Sequence, residues 1–266
     1  MIPVISVELM RKSDEYTINN IISSKELMYK AGKAVFELSK PSDNSVIVCG
    51  SGNNAGDGYV IALEMAKAGL TSTLLLLSDK FSEDGLYYFN QCKNLGIKTA
   101  YADKNTDFNI YSDIIDCIFG TGFKGEPQGI TAEIIDKINT SGKRTISVDI
   151  NSGLNGNTGE YAKCVKSDLT VSIGYFKTGF FLGNASKVIK KVINADIGIK
   201  LIEEPFSLID SIDEIPLSCT DSITDSRENT ISELMQDACG SFIRSGNVVT
   251  DGTKTYIIAG DTPYEY

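Results

Sequence analysis

From residue 45 onward the chain alternates two hydrophobic patterns. Short uninterrupted apolar runs are separated by stretches whose apolar residues recur every three or four positions, which predicts strand–helix–strand units in a parallel sheet. The runs place strands at 45–49, 72–77, 97–101, 114–119, 145–150, 169–173 and 188–192, and the amphipathic stretches place helices at 58–68, 83–95 and 130–140. The runs VIV, TLLLL, DIIDCIF and TISVDI have no polar face, so both sides of the sheet must be covered. The expected fold class is therefore α/β, a doubly wound three-layer α/β/α sandwich. Ahead of it, the first forty residues read as two helices; Ser23 followed by Glu26 is a capping signature for the second, and Pro41 ends it.

Beyond residue 202 the periodicity fades. Residues 207–230 are rich in Ser, Asp and Thr and read as a solvated linker, followed by a helix over 228–244 and a strand over 255–259. The boundary falls near Pro205, giving a main domain at 1–205 and a tail at 206–266. The tail either packs on the main domain or opens a second domain, with the run 254–260 (KTYIIAG) as its first strand.

Composition sharpens this division. A chain of 266 residues with 42% hydrophobic content can bury a continuous core. Its net charge of −10 argues against a nucleic-acid backbone or an anionic membrane as partner. That charge is local: residues 1–200 hold 22 basic and 22 acidic side chains, while 201–266 hold 3 and 13. With no histidine, Ser-His and Cys-His nucleophile systems and imidazole metal sites are excluded. Acid–base chemistry must use carboxylate, lysine, tyrosine or cysteine. The six cysteines are scattered, no apolar run approaches a membrane span, and the apolar N-terminus is too short for a secretory leader. A cytoplasmic protein is expected.

In a doubly wound sheet, ligands bind outside the carboxyl ends of the strands. Three loops fall there. GSGNNAGDG (50–58) has Gly50, Gly52 and Gly56, which permit close backbone approach to an anion, and the polar trio Asn53, Asn54 and Asp57. Its spacing is not the dinucleotide fingerprint, and it lacks the lysine of a P-loop. The second loop, within DCIFGTGFKGEPQG (116–129), carries Lys124 among four glycines, and Asp116 lies inside its apolar strand, where a carboxylate must be paired, hydrogen-bonded or bound to a cation. In the third, VDINSGLNGNTG (148–159), Asp149 ends a buried strand, a place suited to general acid or base work; the alternative is that it only opens an Asx-turn.

Together with SSKELMYKAG near the N-terminus, these loops make the chain resemble the NAD(P)H-hydrate epimerases, the N-terminal domain of the YjeF type, over about residues 6–205. The resemblance implies a Rossmann-like, mostly parallel sheet and an isomerase of cofactor repair. Such an enzyme interconverts the R and S epimers of NADHX and NADPHX, so that a partner dehydratase accepting one epimer can restore the cofactor. It implies substrate contacts at Asn53, Asn54, Ala55, Gly56, Asp57, Gly120, Thr121, Gly122, Phe123, Lys124, Gly125, Glu126 and Asp149. It also implies a potassium ion on Asn54, Asp116 and Ser152, oxygen ligands suited to a hard cation, and a homodimer. Two positions depart from the family pattern: Asn151 stands where proline is common and Ala55 where glycine is.

The hydrate is a hemiaminal, whose ring nitrogen can expel the C6 hydroxyl to give an iminium that water attacks from the opposite face. The expected catalytic residues are Asp149, protonated at the outset and moving protons for the departing and returning oxygens, and Lys124, orienting the oxygen or the carboxamide. Ring opening through an aldehyde is an alternative route. Two other functions compete: a non-catalytic scaffold resembling a domain of an mRNA-decapping enhancer, and an NAD(P)-dependent dehydrogenase. Against the first, Asp116, Lys124 and Asp149 are all present; against the second, Tyr175 and Lys177 lack the i, i+4 spacing of a tyrosine–lysine system.

Overall fold

The computed structural model describes residues 2–210, 224–225, 243–250 and 254–266. Its centre is an all-parallel eight-stranded sheet. Counting every strand in chain order, it holds β2 (Ser45–Cys49), β3 (Ser72–Leu76), β4 (Lys98–Tyr101), β5 (Asp113–Cys117), β6 (Arg144–Val148), β7 (Leu169–Ile173), β9 (Val192–Ala195) and β15 (Tyr264–Glu265), in the order β15-β9-β7-β6-β5-β2-β3-β4. From β2 the chain builds outward through β3 to β4, then returns to the other side of β2 for β5, β6 and β7. The winding direction therefore reverses between β2 and β5.

Strand alternation divides the core. Ile47, Cys49, Ile115, Cys117, Ile146 and Val148 join one cluster with α1 (Val7–Asn20), α2 (Ser24–Ser39), α3 (Asn53–Lys67) and α4 (Glu83–Asn94). Val46, Val48 and Ile114 face α5 (Gly129–Thr140) on the other side. This is the three-layer sandwich expected from the apolar runs. The second helix begins as its capping signature predicts, with the Ser23 hydroxyl accepting from Glu26 N.

Four expectations shift. Helix α3 starts at Asn53, not at 58, so most of the glycine-rich stretch is helical. Gly56 lies in that helix against the end of the Met28 side chain, which a Cβ would meet at 2.5 Å. Strand β6 stops at Val148 because Asp149 turns into the left-handed region, with φ of 21°. The strand expected at 188–192 lies at Val192–Ala195, because Val188 and Ile189 are buried in a second cluster around Phe176 and Phe180. The start of the expected linker is a strand, β10 (Phe206–Ile209), whose Leu208 and Ile209 are buried.

That strand belongs to a second sheet absent from the sequence reading. It contains β1 (Ile2–Ile5), β8 (Phe176–Lys177), β10, β11 (Thr224–Asp225), β12 (Ile243–Ser245), β13 (Val248–Thr250) and β14 (Thr255–Ile258). β1 pairs antiparallel with β10 and parallel with β8. The strand expected at 255–259 is β14. The helix expected over 228–244 lies outside the described residues except at 243 and 244, which are in β12. Most of the rest of the expected linker also lies outside them. Among the described residues no helix is long and apolar enough to cross a membrane.

Candidate active site

β2, β5 and β6 are neighbours, so the three loops leaving their carboxyl ends converge at the reversal point. The first turn is tight: a Cβ on Gly50 would lie 2.0 Å from Ile118 O, and Gly50 N donates to Cys117 O. Only glycine allows the first and second loops to approach so closely.

Asn54, in the first turn of α3, ties all three loops together. Its Nδ2 donates to Phe119 O at 2.9 Å and to Val148 O at 2.8 Å. Its Oδ1 is buried with no hydrogen-bond partner among the described residues. Asn53 is exposed, whereas Ala55 and Gly56 are buried in the helix packing.

Asp116 is fully buried in β5. Its Oδ1 accepts from the Ser152 hydroxyl at 2.5 Å and from Ile118 N at 3.2 Å, and its Oδ2 accepts from Ser152 N and the Ser147 hydroxyl, both at 2.9 Å. Burial pushes this carboxyl up from its ordinary range, and the bonds from Ser152, Ile118 and Ser147 partly counter it. Phe119 N donates to Ser152 Oγ, which locks the second loop to the third.

Asp149 follows β6 and accepts from Ile173 N at 3.2 Å and from Lys177 Nζ at 2.5 Å. Among the described residues it makes no Asx-turn contact; its carboxylate points to β7 and β8 instead. Lys177 is completely buried and also donates to Ile173 O at 2.8 Å. Asp14 from α1 and Asp57 from α3 complete the group. Burial raises Asp14 to about 6, with Lys177 pulling it down and Asp149 pushing it up. Burial, then repulsion from Asp149 and Asp14, pushes Asp57 well above the usual carboxylate range. Lys177 thus acts on two carboxylates, Asp149 and Asp14, and Asp57 feels the repulsion of both.

The second loop forms the rim. Phe119 and Phe123 stack with ring centroids 3.8 Å apart, and Phe123 N donates to Gly120 O. Gly120 lies against Asn54 and Asp149 O, and Thr121 is half-buried. Gly122, Lys124, Gly125 and Glu126 are exposed. Among the described residues no ion pair joins Lys124 to Asp149; the cation at that carboxylate is Lys177. Lys177 and Asp14 were missed by sequence reasoning, although a lysine set in the apolar run YFKTGFF carries the same signal that singled out Asp116. Tyr175 is turned away, its hydroxyl donating to Ile199 O.

Residues 24–179 match the family model described as YjeF-related protein N-terminus. The chain is 36% identical over 208 residues to the NAD(P)H-hydrate epimerase of Lentilactobacillus buchneri, covering 75% of this chain and 96% of that protein. It is 33% identical over 204 residues to the enzyme of the same name from Oenococcus oeni, covering 73% and 96%. A bifunctional NAD(P)H-hydrate repair enzyme, Nnr of Moorella thermoacetica, is 30% identical over 70% of this chain and 38% of its own length. The crystal structure of yeast ynu0 superposes with a TM-score of 0.63 at 19% identity, over 79% of this chain and 98% of that one, and shares the fold. The chain belongs to the NAD(P)H-hydrate epimerase family, the YjeF N-terminal type.

Proposed function

We propose that the pocket at the carboxyl ends of β2, β5 and β6 is where this chain works as an NAD(P)H-hydrate epimerase. As an isomerase of cofactor repair, it interconverts the R and S epimers of NADHX and NADPHX. The observation that carries the assignment of the pocket is Asp149, a carboxylate in a left-handed turn at the sheet's reversal point, paired with a buried lysine. Backbone strain of this kind marks functional sites when the surroundings enforce it.

The substrate's own ring nitrogen drives expulsion of the C6 hydroxyl, so the protein needs to supply position and proton transfer. Asp149 is the proton-transfer group. The free amides at the start of α3 and the exposed Lys124 suit the pyrophosphate, and the stacked Phe119–Phe123 pair borders the ring site. This gives Lys124 a binding role at the rim.

We further propose that Asn54, Asp116 and Ser152 hold a potassium ion. The unpartnered Asn54 Oδ1 is the supporting observation, and the donors are all oxygens, as a hard cation requires. A bound cation would neutralise the buried Asp116 charge and fix the three loops. The functional partner is a dehydratase, in keeping with the bifunctional relatives that carry this type of domain. A homodimer and a cytoplasmic location follow the family resemblance, and buried thiols at Cys49, Cys92, Cys117 and Cys164 suit a reducing compartment. The test is to incubate the protein with the dehydratase-resistant epimer of NADHX plus a dehydratase and to follow NADH recovery. Acceleration over spontaneous epimerisation supports the proposal; its absence refutes it.

A further inference from the structure

The two carboxylate oxygens of Asp149 have unequal surroundings. Ile173 N and Lys177 Nζ both donate to Oδ1, at 3.2 and 2.5 Å, whereas among the described residues Oδ2 accepts no hydrogen bond. The main chain is pinned as well: Asp149 N donates to Val171 O at 3.1 Å, in a turn with φ of 21°. The ends of β7 and β8 thus hold the backbone and one oxygen. The Asp149 side chain still keeps 16% of its surface accessible, against none for Lys177. Oδ2 is the oxygen left to meet a ligand.

Stability alone does not account for a lysine at this place. Burying an ammonium against a carboxylate costs desolvation that an apolar side chain of the same length would avoid, and such a side chain would suit the run YFKTGFF. What the ammonium adds is direction. Its second bond, to Ile173 O at 2.8 Å, goes to the same residue whose N–H holds Oδ1, and its Nζ lies 3.4 Å from Ser172 Oγ. The stem starts on β8, which β1 anchors through the pairs Val4↔Phe176 and Ile5↔Lys177, and β1 is paired in turn with β10. Lys177 therefore reaches Asp149 from the second sheet, held independently of β6, and can fix the carboxylate against the strain of its left-handed turn.

We propose that Lys177 is a positioning residue of the epimerase: together with Ile173 N it clamps Oδ1 of Asp149, fixes the side-chain torsion and presents Oδ2 to the C6 oxygen of the substrate. Completely buried, Lys177 acts through Asp149 and not by contact with substrate. Displacing a reacting group by about 1 Å costs on the order of a hundredfold in rate. Loss of the clamp therefore appears in kcat, while substrate binding at the rim is little changed.

This role rests on the assignment of the pocket, and the experiment separates the two. Values of kcat and KM for epimerisation of purified NADHX epimers are measured for the wild type, Asp149→Asn, Lys177→Ala and Lys177→Met, with folding checked by circular dichroism. Lys177→Ala is assayed alone, with propylammonium chloride and with 1-propanol, two molecules that match the deleted part of the side chain in length. It is expected to lower kcat about a hundredfold with KM changed less than about threefold. Propylammonium should restore kcat by about tenfold or more, because it returns a charged donor to the cavity, whereas the alcohol fills the same space without the charge and should not. Equal kcat with amine and alcohol, whether both restore it or neither does, overturns the positioning role. If Lys177→Ala does not fold, Lys177→Met decides: a loss in kcat smaller than about tenfold, or a rise in KM beyond about threefold, overturns it. A wild-type rate in Lys177→Ala with an inactive Asp149→Asn also overturns it and leaves the pocket standing. A wild-type rate in a folded Asp149→Asn overturns the pocket itself.

Discussion

Replacing Asn151 by alanine tests how the third loop is held under Asp149. This residue departs from the proline common in the family, and it is completely buried. Its Nδ2 donates to Val165 O and Ser167 Oγ at 2.9 Å and to Val188 O at 3.2 Å, and its Oδ1 accepts from Thr170 Oγ1 at 2.5 Å. Four bonds at about 1 kcal/mol net each set an upper figure near 4 kcal/mol. Some partners recover: Ser167 and Thr170 keep each other at 2.8 Å, and Val188 O keeps Ser167 N. Among the described residues Val165 O keeps only the weak Cys164 thiol. The expected loss is therefore about 3 kcal/mol, which for a chain of this size lowers Tm by about 6–12 °C. Thermal melts and urea titrations of Asn151→Ala against the wild type measure it. A loss below about 1 kcal/mol would refute the view that a side-chain network here replaces the rigidity of a proline ring.

Two further outcomes follow from the same geometry. Asp14 sits at about 6 in the folded protein, above its usual 3.8, so its contribution to stability is complete below about 3.8 and lost as pH rises through about 6. Asp14→Asn should therefore raise Tm at pH 8 relative to the wild type and leave it nearly unchanged at pH 4; an equal effect at both values would contradict the burial of that charge. If Asn54 Oδ1 is a potassium ligand, potassium chloride should raise Tm more than tetramethylammonium chloride of equal ionic strength, because the ion binds only the native state. The difference should vanish in Asn54→Ala.

The doubly wound sheet was legible because β2, β3, β5 and β6 are buried on both faces and leave an unmistakable apolar signature. Asp116 was legible for the converse reason, as a charge inside such a run. The second sheet was not: β1 and β10 are four-residue strands, and they pair across about two hundred residues of chain, which no local pattern reports. Lys177 was hidden in the same way. The residues point to Lys124, on the glycine-rich rim, as the catalytic lysine beside Asp149, whereas the pairing of β8 with β1 places Lys177 against the carboxylate from another part of the chain. Asp14 entered the site on a helix whose own periodicity was too loose to fix its buried face.

The central claim is that Asp149 is the proton-transfer group of an epimerase. Its most direct test is the rate of conversion of the dehydratase-resistant NADHX epimer, measured by coupled NADH recovery, with wild-type protein and with Asp149→Asn at equal concentration. The wild type should accelerate recovery, and the variant should fall by about a hundredfold or more toward the spontaneous rate. Retention of full activity by a folded Asp149→Asn protein would contradict it.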